Sequence, residues 1–306
     1  MILAVSLNPA LDVTYELAAP LRAGATNRVT AVHVRAGGKA LNVARVLMRL
    51  GHEVQVIAPC GGPSGQALAN AADAAGITAV WIPVAGETRR TVAAWDRSTG
   101  EVTMLNEPGP PIGTTEWHDI VAAVEAVGPV EAVVLSGSLP PGLPDDAYRT
   151  LIGRCAADGV LTFLDTDGRG LLAGVAAHPT VVKPNRDELA AVFGETADLS
   201  SAAESLRALG AQNVVVSDGP RGLVGVTAHG SWSARPTASA CGNPTGAGDA
   251  CVAGLVASSV DGLAWPDRLA LAAALGAVAA GTGTAADEAP VSALDRWLKQ
   301  TVVEEL

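Results

Sequence analysis

Aromatic residues are scarce in this 306-residue sequence, which contains six Trp, two Tyr and two Phe. A hydrophobic core must therefore consist mainly of aliphatic side chains, and 49% of all residues are hydrophobic. Aliphatic packing favours close layers of helix on sheet over an aromatic-rich β sandwich. The length fits one large α/β domain or two small ones.

Cysteine and histidine also lack any functional spacing. The four cysteines, at positions 60, 155, 241 and 251, form no CxxC pair, and the five histidines include no HExxH motif. These patterns do not predict a metal site. Isolated thiols are typical of small buried side chains in a reducing cytosol.

Positive charge is scarce as well, since the formal net charge is −11 and Lys and Arg form no cluster larger than a pair. We therefore expect no nucleic-acid partner and no attraction to an acidic membrane. The sequence starts on the strand-like Ile2-Leu3-Ala4-Val5 without a signal-type segment, and its longest apolar stretch, 269–280, is too short to span a bilayer. A cytoplasmic protein is expected. Because Lys and Arg are few, those that lie near a predicted site are candidates for binding an anionic substrate.

Short apolar runs alternate with helical patterns from residue 115 onward, which predicts a parallel sheet covered by helices on both faces. Two segments, about 12–35 and 87–105, instead resemble half-exposed antiparallel strands. We interpret them as a β lid inserted over the ends of the parallel strands. Because ligands in open α/β sheets bind beyond the carboxyl ends of the strands, the loops after strands should carry the chemistry.

The loop at 243–249 is the clearest candidate for a functional site. Gly246, Ala247 and Gly248 leave the backbone uncovered where an apolar, proline-free helix should begin. The N–H groups of a helix N-terminus suit phosphate oxygens. Asp249 would stand beside the bound anion, where an acid can accept a proton from an attacking hydroxyl. The alternative is an Asp that only caps a core helix.

Loops near the predicted lid supply groups for an anionic substrate. Asp12 follows the first strand, and its carboxylate could bind substrate hydroxyls or simply form a turn. Gly37, Gly38 and Lys39 open a helix, so their amides and the Lys ammonium could hold an anion, with Asn42 one turn further on.

Two further stretches extend this region. Arg89 and Arg90 lie in the second lid segment, where an Arg could bind a phosphate bidentately, although a solvated surface residue is the alternative. Ser138 follows an apolar strand in the loop 136–142, whose hydroxyls and bare backbone suit a polar ligand as well as a plain turn.

Two more strand ends indicate a nucleotide site. Lys183 ends an apolar strand, and Asn185 and Glu188 are spaced so that both could face the waters of a Mg²⁺ ion. The alternative for this pair is a capping box at a helix start. Ser217 and Gly219 belong to another glycine-bearing loop, of the kind that approaches nucleotide phosphates.

Six segments, in order and spacing, resemble the PfkB (ribokinase-like) carbohydrate kinase family, in particular its 1-phosphofructokinase and tagatose-6-phosphate kinase branch. They are Ser6-Leu7-Asn8-Pro9-Ala10-Leu11-Asp12, Ala36-Gly37-Gly38-Lys39-Ala40-Leu41-Asn42-Val43-Ala44-Arg45, Asn106-Glu107-Pro108-Gly109-Pro110, Ser136-Gly137-Ser138-Leu139-Pro140-Pro141-Gly142, Lys183-Pro184-Asn185-Arg186-Asp187-Glu188-Leu189 and Thr245-Gly246-Ala247-Gly248-Asp249. The resemblance covers about residues 1–285. It implies a ribokinase-like α/β fold, a three-layer α/β/α sandwich with a mostly parallel central sheet and a small β lid. We expect one kinase domain over 1–306, with the lid often pairing between two subunits.

The resemblance also implies ATP-dependent phosphorylation of a sugar-phosphate hydroxyl with Mg²⁺. By it, Asp249 is the catalytic base, and Gly246, Ala247 and Gly248 form the anion hole. The positions that match substrate binding are Asp12, Gly37, Gly38, Lys39, Asn42, Arg89 and Ser138. Those that match ATP binding are Lys183, Asn185, Glu188, Ser217, Gly219 and Gly222, with Asn185 and Glu188 contacting Mg²⁺ through water. Lys39 and Arg89 would neutralise the phosphate already on the sugar.

Three residues depart from the family pattern. Pro244 stands where a Thr is more usual, Thr91 where an Asn is common, and Asp167 where a Ser is usual. The leading hypothesis for the acceptor is fructose 1-phosphate, giving fructose 1,6-bisphosphate. Tagatose 6-phosphate or fructose 6-phosphate comes next, then an unphosphorylated sugar or nucleoside. A sugar or nucleotide sensor on a kinase scaffold is the non-enzyme alternative, against which the intact Asp249 argues.

Overall fold

The computed structural model describes residues 1–155, 159–195, 198–238, 245–281 and 291–306. The strands are β1 (Ile2–Val5), β2 (Ala10–Leu17), β3 (Val29–Gly37), β4 (Val54–Cys60), β5 (Thr78–Pro83), β6 (Arg89–Asp96), β7 (Val102–Asn106), β8 (Ala132–Ser136), β9 (Leu161–Asp165), β10 (Val181–Val182), β11 (Asn213–Ser217), β12 (Leu223–Thr227), β13 (Gly230–Pro236) and β14 (Thr301–Glu305). The helices are α1 (Lys39–Arg49), α2 (Gly62–Ala74), α3 (Thr114–Glu125), α4 (Ala147–Cys155), α5 (Gly168–Val175), α6 (Arg186–Phe193), α7 (Leu199–Ala208), α8 (Ala247–Val260), α9 (Trp265–Gly281) and α10 (Val291–Lys299).

The large sheet has the strand order β14-β13-β12-β11-β10-β9-β8-β1-β4-β5. The strands from β11 to β5 in this order are mutually parallel, as in the pairs of β1 with β4 and with β8. At the other edge, β12, β13 and β14 are antiparallel. The predicted mostly parallel sheet is therefore confirmed, with an antiparallel edge that the sequence patterns did not indicate.

Helices cover both faces of this sheet. Successive side chains of a strand point to opposite faces, and β1 shows the consequence. Ile2 and Ala4 pack in a core cluster with residues of α1, α2, α8 and α9, whereas Leu3 and Val5 pack in a second cluster with residues of α3 to α7. The three-layer α/β/α arrangement is thus confirmed.

The second sheet is small and separate, with the order β3-β2-β6-β7. The two predicted lid segments supply its strands, and each segment is antiparallel within itself. The two segments join through a parallel pair, β2 with β6, which corrects the expectation of antiparallel strands alone. We call this four-stranded unit the small sheet.

The two faces of the small sheet differ in polarity. Tyr15 pairs with Val32 across β2 and β3, and both side chains are exposed, as is Leu105 on β7. The register puts Asp12 on the opposite face, beside Arg35 of β3 and Thr91 of β6. Because strand residues alternate between faces, one face of the small sheet is apolar and the other carries charged and polar groups.

The first turns of α1 and α8 lie close together, since Asn42 of α1 contacts Asp249 of α8. β3 leads directly into α1 through Gly38, and α8 begins at Ala247 after Gly246, whose φ of +82° is left-handed. α1 and α8 pack against each other in one core cluster. No described helix has both the length and the apolar character needed to cross a membrane.

Candidate active site

Asp249 lies in the first turn of α8 and is buried. The Asn42 Nδ2 of α1 donates to its Oδ2 at 2.8 Å, and Arg45 Nη1 donates to the Asn42 Oδ1 at 3.3 Å. Burial, reinforced by the nearby Asp165 carboxylate, raises the pKa of Asp249 to about 7, against the opposing effect of Lys39. A carboxyl that titrates near neutral pH can take up and release a proton under working conditions.

The glycines before Asp249 form the N-terminus of α8. Gly246 is its N-cap, followed by Ala247, and a Cβ added to Gly248 would lie 3.8 Å from the Lys183 Nζ. The backbone amides of this helix end and the Lys183 ammonium therefore lie close together, which suits an anion. Pro244 and Asn243 lie outside the described residues.

Asp165, at the end of β9, is a charged residue of this region that the sequence reasoning did not select. Its side chain is 2% exposed, with Lys183 Nζ at 3.4 Å and Lys39 Nζ at 3.5 Å from Oδ1. The Ser136 hydroxyl donates to Oδ2 at 3.1 Å. Although burial opposes ionisation, the two lysines hold the pKa of Asp165 below its usual range.

Lys39 lies between two carboxylates. Its Nζ is 3.5 Å from an oxygen of Asp165 and 3.5 Å from one of Glu188. Burial would lower the pKa of the ammonium, but Asp165 and then Glu188 and Asp249 raise it overall. The predicted phosphate ligand Lys39 is thus already paired with two carboxylates, those of Asp165 and Glu188.

Asn185 and Glu188 form a capping box at the start of α6. The Glu188 N–H donates to Asn185 Oδ1 at 2.7 Å, and the Asn185 N–H donates to Glu188 Oε2 at 2.8 Å. The capping alternative is therefore confirmed, and the metal role of both residues stays a prediction. Among the described residues, no group of three or more His, Cys, Asp or Glu has the arrangement of a metal site. The donors present fit a Mg²⁺ that is held mainly by phosphates and water, as is usual for this ion.

The residues predicted to bind the sugar-phosphate acceptor lie on or next to the polar face of the small sheet. Asp12 packs so closely on Gly37 that a Cβ there would overlap its carboxylate. Burial raises the pKa of Asp12 to about 6, opposed by Arg35, Arg45 and Arg89. The Arg89 Nε donates to the backbone oxygen of Asn8 at 3.2 Å, and its Nη1 donates to that of Glu107 at 3.2 Å.

Ser138 lies at the same corner. Its hydroxyl accepts a hydrogen bond of 3.1 Å from the Asn8 Nδ2. Gly137, before it, has a φ of +123°, which residues with a Cβ rarely adopt. Its carbonyl accepts a 2.8 Å hydrogen bond from the buried Tyr148 hydroxyl, so the loop is held from α4.

The predicted nucleotide loop follows β11, next to the start of α6. The Ser217 N–H donates to the Pro184 oxygen at 3.0 Å. Asp218 binds both Arg186 and Arg221, whose hydrogen bonds hold its pKa below the usual range. Gly219 and Gly222 both have positive φ, and a Cβ on Gly222 would overlap the Ala234 carbonyl. Hydrogen bonds to Pro184 and Arg186 therefore hold the loop beside Lys183 and Asn185.

Solved structures share this fold over nearly the whole chain. A possible 1-phosphofructokinase from Thermotoga maritima matches with a TM-score of 0.89 at 26% identity, covering 100% of this chain and 99% of that one. The tetrameric inhibited form of phosphofructokinase-2 from Escherichia coli matches with a TM-score of 0.89 at 25% identity, covering 97% and 98%.

Sequence comparison identifies the family. A 1-phosphofructokinase from Xanthomonas campestris pv. campestris is 39% identical over 268 residues, which are 84% of this chain and 83% of that protein. The model of the pfkB family of carbohydrate kinases matches residues 6–291, a range that includes every residue of the site described above. The chain belongs to the pfkB family of carbohydrate kinases.

Proposed function

We propose that this protein is an ATP-dependent hexose-phosphate kinase that converts fructose 1-phosphate to fructose 1,6-bisphosphate. The observation that carries the proposal is the buried carboxylate of Asp249, with a pKa of about 7, at the N-terminus of α8. The similarity to a 1-phosphofructokinase at 39% identity supports the choice of acceptor.

In the proposed reaction, Asp249 accepts the proton of the attacking sugar hydroxyl. The hydroxyl oxygen forms a bond to the γ-phosphorus of ATP while the bond from that phosphorus to the β,γ-bridging oxygen breaks, and ADP leaves. Phosphoryl transfer needs positioning and charge neutralisation more than covalent help. The amides of Gly246, Ala247 and Gly248, together with Lys183, are suited to hold the transferred group.

The nucleotide would occupy the region between α8 and the loop that follows β11. Ser217, Gly219 and Gly222 border it on one side, and Lys183 on the other. Bound Mg²⁺ would supply neutralisation of phosphate charge. Asn185 and Glu188 are the residues that we propose to hold its waters, in addition to capping α6.

The acceptor phosphate is assigned chiefly to Arg89. In the described part of the chain Arg89 donates to backbone carbonyls rather than to a carboxylate, whereas Lys39 is already paired with Asp165 and Glu188. Asp12 and Ser138 would bind sugar hydroxyls beside it. Gly37 and Gly38 allow the backbone to approach, and Asn42 orients Asp249.

A coupled ADP-release assay across a panel of acceptors tests the function. We expect the highest kcat/KM with fructose 1-phosphate, above tagatose 6-phosphate, fructose 6-phosphate, free hexoses and nucleosides. Faster turnover of a free hexose would remove the assigned role of Arg89. A protein that binds sugar or ATP but turns over none of the panel would be the sensor of the alternative hypothesis.

Replacing Arg89 with Ala should raise KM for the phosphosugar about thirtyfold, because a charge-assisted hydrogen bond contributes about 2 kcal/mol. Steady-state kinetics with saturating ATP measure the change. Arg90→Ala is the matched control, since its side chain is half exposed and lies 3.9 to 4.0 Å from Glu87 and Glu107. Equal effects of the two substitutions would assign Arg89 to the surface of the small sheet.

A second copy of this chain is the proposed protein partner, and the small sheet is the proposed lid and dimer surface. Its apolar face exposes Tyr15, Val32, Val34 and Leu105, the last of which is 60% exposed. Pairing two such faces would remove these side chains from water. The solved tetrameric form of the Escherichia coli relative agrees with self-association in this family.

A further inference from the structure

We propose that Asn8 is a positioning residue for the sugar acceptor, which holds Arg89 and Ser138 in one fixed relation. This inference rests on the proposed function and assigns a role to two sequence segments that the reaction itself does not use, 6–9 and 106–110. Asn8 lies between β1 and β2, at the passage from the large sheet to the small sheet. It is 4% exposed, so its side chain acts on neighbouring protein groups.

The amide of Asn8 joins two separate loops. Its Nδ2 donates to the Pro108 carbonyl at 3.1 Å and to the Ser138 hydroxyl at 3.1 Å. A carbonyl can only accept, so the contact with Pro108 fixes which end of the amide carries the nitrogen. One side chain therefore connects the end of β1 to the loop after β8 and to residues 107–110 after β7, which we call the return segment.

The backbone of Asn8 binds the third partner. Its carbonyl accepts the 3.2 Å hydrogen bond from Arg89 Nε, and Arg89 Nη1 reaches the Glu107 carbonyl on the return segment. Arg89 begins β6 of the small sheet, whereas Ser138 lies in the loop after β8 of the large sheet, 49 positions further along the sequence. Asn8 contacts both of them, so a shift of Asn8 should move both proposed substrate contacts together.

Gly109 shows how closely the return segment is fitted to Asn8. A Cβ at Gly109 would overlap the Asn8 Oδ1, and the φ of Gly109 is +94°. The same Oδ1 is buried and has no hydrogen-bond partner among the described residues. An unsatisfied buried acceptor lowers stability, and an apolar side chain of the same size would avoid that cost. The two hydrogen bonds that Nδ2 donates offset that cost, and they fix the Pro108 segment and the Ser138 loop relative to each other.

The test compares Asn8→Ala, Gly109→Ala and wild type, after the acceptor panel has identified the sugar phosphate that the wild type uses. Asn8→Ala should raise KM for that sugar about tenfold, the factor typical of one buried hydrogen-bonding group, with KM for ATP changed less than about twofold. Gly109→Ala keeps the asparagine at position 8 but should displace its side-chain amide, and should therefore raise KM for the sugar as well. It keeps the test decisive if Asn8→Ala folds poorly.

Gly100→Ala is the matched control. Gly100 has a φ of +80°, similar to Gly109, but a Cβ there would meet nothing within 4 Å. Gly100→Ala shares the backbone strain of Gly109→Ala without the overlap on Asn8. The KM values for the sugar phosphate and for ATP should therefore stay at the wild-type level. The double variant Asn8→Ala/Gly109→Ala should lose less than the product of the single effects, because the added Cβ no longer meets an amide.

Several results would overturn the proposal. A parallel rise of KM for sugar and for ATP, a lower unfolding temperature with unchanged kinetics, or equal effects of Gly100→Ala and Gly109→Ala would leave Asn8 with a structural role only. A wild type that phosphorylates no sugar would instead contradict the proposed function itself, and with it the acceptor site that this inference requires.

Discussion

Asp249→Asn should lower kcat about 10²- to 10⁴-fold, the range over which a general base contributes, while the affinity for ATP changes little. The substitution keeps the shape of the side chain and leaves an oxygen for the hydrogen bond from Asn42. It removes the group that takes up the proton. Steady-state kinetics give kcat, and calorimetric titration of ATP gives the affinity.

The pH dependence identifies the same group independently. Because the base must be ionised, wild-type kcat should rise as pH increases through about 7, where Asp249 titrates. The residual activity of Asp249→Asn should lack this rise. A wild-type kcat that stays flat from pH 5.5 to 8.5 would contradict the assignment.

Stability provides the control for this variant. A carboxyl whose folded pKa is raised to about 7 from 3.8 binds more protons when folded, so its contribution destabilises the fold as pH rises from about 4 to 7. Asn carries no charge, and the unfolding temperature of Asp249→Asn at pH 8 should therefore not fall.

Asp261→Asn, at the exposed C-terminal end of the same helix, should keep full activity. Turnover of Asp249→Asn at the parental rate would show that Asp249 is not the base.

The order of elements and loops was predictable because it depends on local pattern. Buried strands such as β8 are continuous apolar runs, and the glycine loop before α8 leads into an apolar helix. α5 was not predicted, since it contains Gly168, Gly170 and Gly174, and glycine disfavours helix. The antiparallel pairing of β14 with β13 was missed for a different reason: β14 comes from the C-terminus, far from β13 in sequence.

The charges of the site were less predictable than its backbone. Lys39 and Asp165 are 126 positions apart, and only the fold shows that the ammonium is shared between that carboxylate and Glu188. The sequence allowed two interpretations of Asn185 and Glu188, as a capping box or as contacts to the waters of Mg²⁺, because both roles use the same spacing. Local sequence thus located the loops of the site, while tertiary packing determined which charges remain open for a phosphate.

Asp165→Asn should lower the free energy of unfolding by about 3 kcal/mol at pH 7, because removing one partner of a buried ion pair leaves uncompensated charge. Lys39 and Lys183 would both lose their shared carboxylate. Chemical denaturation without nucleotide or divalent cation measures the effect. Asp167→Asn, two residues along, is the matched control. Its side chain is exposed and forms no capping hydrogen bond, so we expect a change within about 0.5 kcal/mol.

Acid should erase the difference between Asp165→Asn and the wild type. The folded pKa of Asp165 is lowered, so its stabilising contribution is present above the ordinary Asp value of 3.8 and disappears as pH falls through the lowered folded value. The gap in unfolding free energy should therefore be widest near neutral pH and close in acid. A gap that persists unchanged in acid would mean that Asn at 165 perturbs packing rather than charge. No gap at pH 7 would mean that Glu188 and Asp249 alone balance the two lysines.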